Sequence, residues 1–203
     1  MWRTLVGLSL AVLASCARLP TQTPESALDR AAHEQALRAL EHWRLGAKIG
    51  VRLPGDSGSA RLSWEQDGER YRLSLSGPLG QGRIDIDGDP TGVTLTEAGE
   101  PPLEAASAEQ LIFDSTGWEL PVTALRSWVL GLTEPGAPVA QLEVGPLGLT
   151  RSFQQEGWQL RYDRYRQVES LYLPGLVVAR RPLTDGSEIR LTLAVHEWSL
   201  ERD

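Results

Sequence analysis

The residue with the clearest chemistry is Cys16, the one cysteine among 203 residues. It follows Leu13-Ala14-Ser15, and ahead of it run Met1-Trp2-Arg3 and a nearly unbroken apolar stretch from Thr4 to Leu13. A positive start, an apolar run of about ten residues and small residues before a cut describe a signal for export. The run is too short to cross a bilayer, which takes roughly 20 apolar residues. Leu-Ala-Ser-Cys resembles the bacterial lipobox, in which the cysteine becomes the lipid-carrying first residue of the mature chain. The alternative is an ordinary signal peptide with a chance cysteine. The lipobox predicts a signal peptide over 1–15, a lipidated tether over 16–25 and one domain over 26–203.

Other candidate chemistry is thin. Gly55-Asp56-Ser57-Gly58 imitates the nucleophile segment of trypsin-like proteases, but a serine nucleophile needs a histidine base in reach. His33, His42 and His196 are the only histidines, in no such setting, so a polar strand-to-strand turn is expected. Asp85, Asp87 and Asp89 mimic the start of a calcium loop. An EF-hand wants glycine sixth and glutamate twelfth; here Gly88 is fourth and Thr96 twelfth, and Pro90 suits a hairpin. His33 and His42 lie nine apart on the expected first helix, too far for a metal pair, and read as solvated. No phosphate loop, zinc motif or catalytic acid pair stands out. The expectation is binding rather than catalysis, with no cofactor and no metal.

The elements that must carry this chain are mainly strands. Residues 17–25 read as a short Thr/Pro/Gln tether. Ser26 could cap a helix whose stripe is Leu28, Ala32, Ala36, Leu40 and Trp43. The period then switches to two: Ala47, Ile49, Val51 and Leu53; Ala60, Leu62 and Trp64; Tyr71, Leu73 and Leu75; Ile84 and Ile86; Val93 and Leu95. Turn signals at 54–56, 66–68, 77–78 and 88–90 separate these runs, giving an antiparallel meander with one apolar and one wet face. Ser107 could cap a helix over 108–114, and Pro121 opens another that runs to Leu130 and ends at Gly131. A second meander follows, through 147–153, Trp158 to Tyr162, 176–180 and Ile189 to Val195. The pattern predicts a half-open barrel of about ten or eleven strands, with about three helices laid over its mouth.

Composition narrows the partners. The formal charge is −7, one unit more negative once Arg3 leaves with the signal, which argues against nucleic acid and against adhesion to anionic lipid by a basic patch. One cysteine leaves no disulfide, so an ordinary core, at 41% hydrophobic residues, must hold the fold. Seven Trp against two Phe is unusual, and all but Trp2 lie between Trp43 and Trp198, where large aromatics could line a cavity or fill a core. One loop looks built for a task. Ser76-Gly77-Pro78-Leu79-Gly80-Gln81-Gly82 is longer than a tight hairpin needs, and its glycines leave Leu79 with nothing beside it. Leu79 is expected to project, where burial in lipid would be worth roughly 1.5–3 kcal/mol. The bland reading folds it back onto the sheet.

Taken in order, these landmarks resemble one family. They are Leu13-Ala14-Ser15-Cys16, Trp43-Arg44-Leu45-Gly46-Ala47-Lys48-Ile49-Gly50-Val51, Arg61-Leu62-Ser63-Trp64 and 71–80 with its Gly-Pro-Leu-Gly loop. Leu120-Pro121-Val122, 125–132, Gly157-Trp158-Gln159-Leu160-Arg161-Tyr162, Leu173-Pro174 and Ile189-Arg190-Leu191 leading to Trp198 continue it. The chain is similar to the LolB family, lipoproteins that receive other lipoproteins from a periplasmic carrier and insert them into the outer membrane. It departs in having Gly77 where a polar residue is expected and an uneven stretch over 133–145.

The resemblance implies an unclosed antiparallel β-barrel under a helical lid, enclosing a hydrophobic cavity for acyl chains. It places the lipid on Cys16 and a membrane-inserting loop at Leu79, flanked by Pro78 and Gly80. The inward-facing residues expected to line the cavity are Trp43, Ile49, Val51, Leu62, Trp64, Leu73, Ile84, Leu111, Trp128 and Leu191. Implied partners are a LolA-like periplasmic carrier, acylated lipoprotein cargo and outer-membrane lipid, for a monomer anchored on the periplasmic face of a Gram-negative outer membrane. Two other classes remain: a lipid-anchored adaptor domain with a filled core, and a lipid-acting enzyme, for which a nucleophile–base pair is missing.

Overall fold

A computed structural model describes residues 28–77, 82–116, 121–145 and 147–200. Helix α1 (Arg30–Arg38) is followed by β1 (His42–Leu53), β2 (Asp56–Asp67), β3 (Arg70–Ser76), β4 (Ile84–Asp89), β5 (Gly92–Glu97) and β6 (Leu103–Ala105). Helices α2 (Ala108–Thr116) and α3 (Val122–Val129) come next. Then follow β7 (Val139–Val144), β8 (Thr150–Gln155), β9 (Trp158–Asp163), β10 (Arg166–Val168), β11 (Leu171–Leu173), β12 (Leu176–Pro182) and β13 (Glu188–Leu200).

Eleven strands form one antiparallel sheet in the order β6-β5-β4-β3-β2-β1-β13-β12-β9-β8-β7. β6 and β7 are its two edges and do not pair with each other, so the barrel is unclosed, as the sequence implied. The last strand returns to the first: β13 pairs with β1 from Trp43↔Leu200 to Arg52↔Arg190. The remaining two strands, β10 and β11, form a separate small hairpin.

The period-two runs place alternate side chains on opposite faces. In β1 the buried positions are Trp43, Leu45 and Ala47; in β9 they are Trp158, Leu160 and Tyr162. The helices cover this concave face, and one apolar cluster joins all three to the sheet. Ser107 caps α2 through its hydroxyl, which accepts from Gln110 N at 3.2 Å. α3 starts after Pro121 and stops at Gly131, whose φ of +82 suits glycine alone.

Several elements differ from the expectation. α1 is capped by Asp29, whose carboxylate accepts from Ala32 N at 3.1 Å, and it ends at Arg38. Trp43 is therefore not helical. It stands on β1 opposite Gln66, because ladder pairing with β2 captures the chain from His42 onward. The expected polar turn at 55–58 shrinks to Pro54-Gly55, and Asp56 to Gly58 open β2. Leu147 lies in a turn, and the strand expected there starts at Thr150. Within the uneven stretch 133–145 lies an edge strand, β7, and the three-residue strands β6, β10 and β11 were also not anticipated.

A closed apolar interior under three helices

The ten expected lining residues all belong to one cluster on the concave side. Trp43, Leu62, Trp64, Leu73, Leu111, Trp128 and Leu191 are buried, and Ile49, Val51 and Ile84 are partly buried against them. Leu111 comes from α2 and Trp128 from α3, so the lid contributes its own side chains to the filling. Cys16, Pro78, Leu79 and Gly80 lie outside the described residues.

Two groups of tryptophans anchor this interior. Trp43 stacks at a tilt against Trp64 at 5.2 Å and meets Trp198 edge-on at 5.6 Å. Trp128 of α3 sits 6.3 Å from Trp158 of β9. A buried indole needs an acceptor for its N–H, and two glutamines at inward strand positions supply one each to Trp64 and Trp128. Trp64 Nε1 donates to Gln66 Oε1 at 3.1 Å, and Gln66 Nε2 donates to the carbonyls of Gly68 and Arg70. Trp128 Nε1 donates to Gln155 Oε1 at 3.0 Å, which also accepts from Glu134 N at 2.8 Å. Gln155 Nε2 donates to the carbonyls of Glu134 and Ala137, so this one side chain fixes the end of α3 and the loop after it to β8. The sequence places Gln66 and Gln155 in turns, at 66–68 and 155–157, whereas both are buried strand residues, on β2 and β8. The available signal was a glutamine at the inward position that continues each run, after Trp64 and after Phe153.

The other two helices are held differently. α1 is tied by His33, whose Nε2 accepts from Tyr172 N at 3.0 Å, and by Arg38, which donates to the Thr133 carbonyl. His33 is 8% exposed, so it is a buried acceptor and not the solvated residue the sequence suggested. Burial holds its imidazole below the ordinary range and therefore neutral, against smaller opposing effects of the Tyr172 contact and Glu34. His42 is on β1 beside Asp67, 2.9 Å away. α2 meets α3 through Glu109, whose carboxylate accepts from Thr123 N at 2.6 Å. Its Phe113 is half exposed.

Two interior donors, Trp43 Nε1 and Tyr162 Oη, are buried without a hydrogen-bond partner among the described residues. Burial also pushes the Tyr162 phenol well above its ordinary range, so it stays protonated. A hollow of about 200 Å³ opens beside this interior, floored by Trp64, Tyr71, Pro90 and Val122 and rimmed by Glu69 and Arg126. Ligand pockets for drug-sized molecules run to roughly 300–1,000 Å³, so the hollow is too small for several acyl chains.

The mimics of other chemistry are accounted for by neighbours. Asp87 accepts from Arg72 at 2.6 Å, Asp85 from Arg83 and Ser74, and Asp89 from Thr91 across the hairpin turn. Ser57 lies beside the turn of the β1–β2 hairpin, exposed, opposite Arg52.

The sequence profile described as outer membrane lipoprotein LolB matches residues 41–198. The outer-membrane lipoprotein LolB of Cellvibrio japonicus is 42% identical, with 98% of each chain covered. Its namesake in Nitrosococcus oceani is 34% identical, with 97% of this chain and 96% of that one covered. Among solved structures, a LolA superfamily protein from Nitrosomonas europaea superposes with a TM-score of 0.57 at 10% identity, covering 86% of this chain and 94% of that one. A DUF1329 family protein from Desulfovibrio piger gives 0.55 at 7% identity, covering 85% and 91%. These two show a shared fold.

Proposed function

The chain belongs to the LolB family of outer-membrane lipoproteins, and from that premise we propose how it handles its cargo. An acylated lipoprotein, delivered by a LolA-like periplasmic carrier, passes its acyl chains into the space now filled by lid side chains. It then leaves for the outer membrane, where Cys16 anchors the protein. The observation that carries this reading is the closed interior. A shell of strands holds an apolar cluster whose top layer, Leu111 and Trp128 among it, is supplied by helices rather than by the sheet.

The energetics favour exchange. Triacylated cargo exposes on the order of 40 methylenes at about 0.8 kcal/mol each, so it cannot cross water unshielded. Uncovering a large lid side chain costs roughly 1.5–3 kcal/mol, and acyl chains entering the gap recover it. Uptake and release therefore need no nucleotide; the bilayer is the sink. α2 is the part suited to move: it meets α3 through the hydrogen bond from the Thr123 N–H to Glu109, whereas Gln155 ties both Trp128 of α3 and the loop after it to β8. An ester or amide carbonyl at the head of an acyl chain is an acceptor of the kind that Trp43 Nε1 and Tyr162 Oη lack.

The loop carrying Leu79 is proposed to work at the membrane, not in the interior. The test is transfer of labelled lipoprotein, first from the periplasmic carrier to this protein and then to liposomes. Leu79→Glu should take up cargo and melt as the unaltered protein does, yet insert it slowly, with Leu79→Ala showing a milder defect. Normal insertion by Leu79→Glu, or failure through unfolding, would make the loop a plain turn. Absence of carrier-to-protein transfer in the unaltered chain would remove the acceptor reading itself.

A further inference from the structure

The net charge of −7 conceals a segregation that appears only in the strand register. On the convex face, Arg52 of β1 is the direct partner of Arg190 of β13, which is the direct partner of Arg180 of β12. Nearby, Lys48 of β1 faces Arg61 of β2, and Arg161 of β9 faces Val178 of β12. None of these six cations has an ion pair among the described residues, whereas Arg44, Arg72 and Arg83 on the same sheet are paired with Glu65, Asp87 and Asp85. The largest group of acids lies elsewhere, Asp85, Asp87 and Asp89 on β4, while Glu143 and Asp163 share a groove with Arg161, Arg180 and Arg190, and Glu188 precedes Arg190 by two residues on β13.

Like charges directly opposite on neighbouring strands destabilise a sheet, so three arginines abreast call for an external counter-charge. Two further observations point the same way. Arg190 Nε is buried and has no hydrogen-bond partner among the described residues. Arg190 also stands between two shallow grooves of about 460 and 500 Å³. The second contains Gly50 and Gly58, where an added Cβ would meet no more than the Thr192 carbonyl at 4.0 Å, so that groove has room over its floor.

We infer that this convex band, centred on Arg52, Arg180 and Arg190, docks the protein onto the anionic phospholipid headgroups of the membrane that carries it. The occupant follows from charge and placement. A protein anchored at the outer membrane holds its body beside that surface, since residues 16–28 extend at most roughly 40 Å. Basic residues near an anionic bilayer act within about one Debye length, roughly 8 Å at physiological salt. Arg61 is also the ladder partner of Ser76, the last residue of β3, so the band borders the root of the loop proposed above to meet lipid. The inference rests on the family's outer-membrane location, not on cargo transfer.

The test uses residues 17–203 without acyl groups, a chain that keeps every described strand and helix. It is sedimented with phosphatidylcholine vesicles, with and without a third of phosphatidylglycerol. Binding should require phosphatidylglycerol and vanish in high salt. Each arginine removed should weaken it about fivefold, so Arg52→Gln with Arg180→Gln and Arg190→Gln should lose of order a hundredfold. Arg72→Gln, on the same face but paired with Asp87, should change it little. The triple variant should melt no lower than the parent; if it fails to fold, Arg180→Gln alone and the salt titration carry the test. Equal binding to both vesicle types, or undiminished binding by the arginine variants, overturns the inference. So does a variant that keeps vesicle binding but loses exchange with the carrier, because the band would then be a protein dock.

Discussion

Gln155 gives the sharpest test of how the lid is held. Its side chain is 2% exposed and engages four groups: Trp128 Nε1, Glu134 N and the carbonyls of Glu134 and Ala137. Gln155→Leu keeps the size and removes all four contacts. The buried Trp128 N–H then lacks an acceptor, a loss of about 1–3 kcal/mol. The three backbone groups belong to half-buried residues and can find water, so each loses about 0.5–1 kcal/mol. Burying leucine returns about 1 kcal/mol. The net destabilisation is about 1.5–5 kcal/mol. A domain of this length shifts its melting point by about 2–4 °C per kcal/mol, so a fall of about 3–20 °C is expected.

The assay is a thermal melt beside near-ultraviolet circular dichroism, which reports the Trp128 and Trp158 environment. A Gln155→Leu protein melting within about 2 °C of the parent, with an unchanged aromatic signal, would refute the pin. Gln155→Glu sharpens the comparison. It keeps the acceptor for Trp128 but turns a carboxylate oxygen toward two carbonyls, so its stability should improve as pH falls and that carboxylate is protonated.

Three other outcomes are expected. Cys16→Ala should leave the protein without acyl groups and off the outer membrane, checked by labelled palmitate and density-gradient fractionation. Trp64→Asp, if circular dichroism shows it folded, should lose acyl uptake, since a carboxylate among the Trp43 and Tyr71 rings would be desolvated without a partner; unchanged cargo transfer would remove Trp64 from the cavity. Because the folded state keeps His33 neutral, the unfolded chain binds the extra proton, and stability present above about pH 6.5 should decline as pH falls below it. His33→Gln, which still offers Tyr172 N an oxygen, should flatten that decline between about pH 7 and 5 in melting curves.

Much of this architecture was legible because its strands alternate cleanly. Ala60, Leu62 and Trp64, or Trp158, Leu160 and Tyr162, announce both a strand and the face it buries. Trp43 misled because it satisfies two periods at once: it is in step with Leu40 and Ala36 on a helix and with Leu45 and Ala47 on a strand, and pairing with Gln66 decides. β7 gave no signal because it has no buried face. All six of its residues are exposed at the sheet edge, and Gln141, at a φ of +50, interrupts its pairing with β8.

What no local reading could supply is the register between distant strands. Arg52 and Arg190 stand far apart in the chain and adjacent in the sheet, so the acidity of the whole argued against a basic surface that the ladder then assembles. The same limit applied to the glutamine pins, since Gln155 becomes a lid anchor only when α3 is laid across β8. The interior followed from alternation, whereas the devices that hold the lid, and those proposed to turn the body toward lipid, depend on which strands become neighbours. A sheet that closes β13 onto β1 makes those neighbours, and every arginine of the central row sits on β1, β13 or the strand beside them.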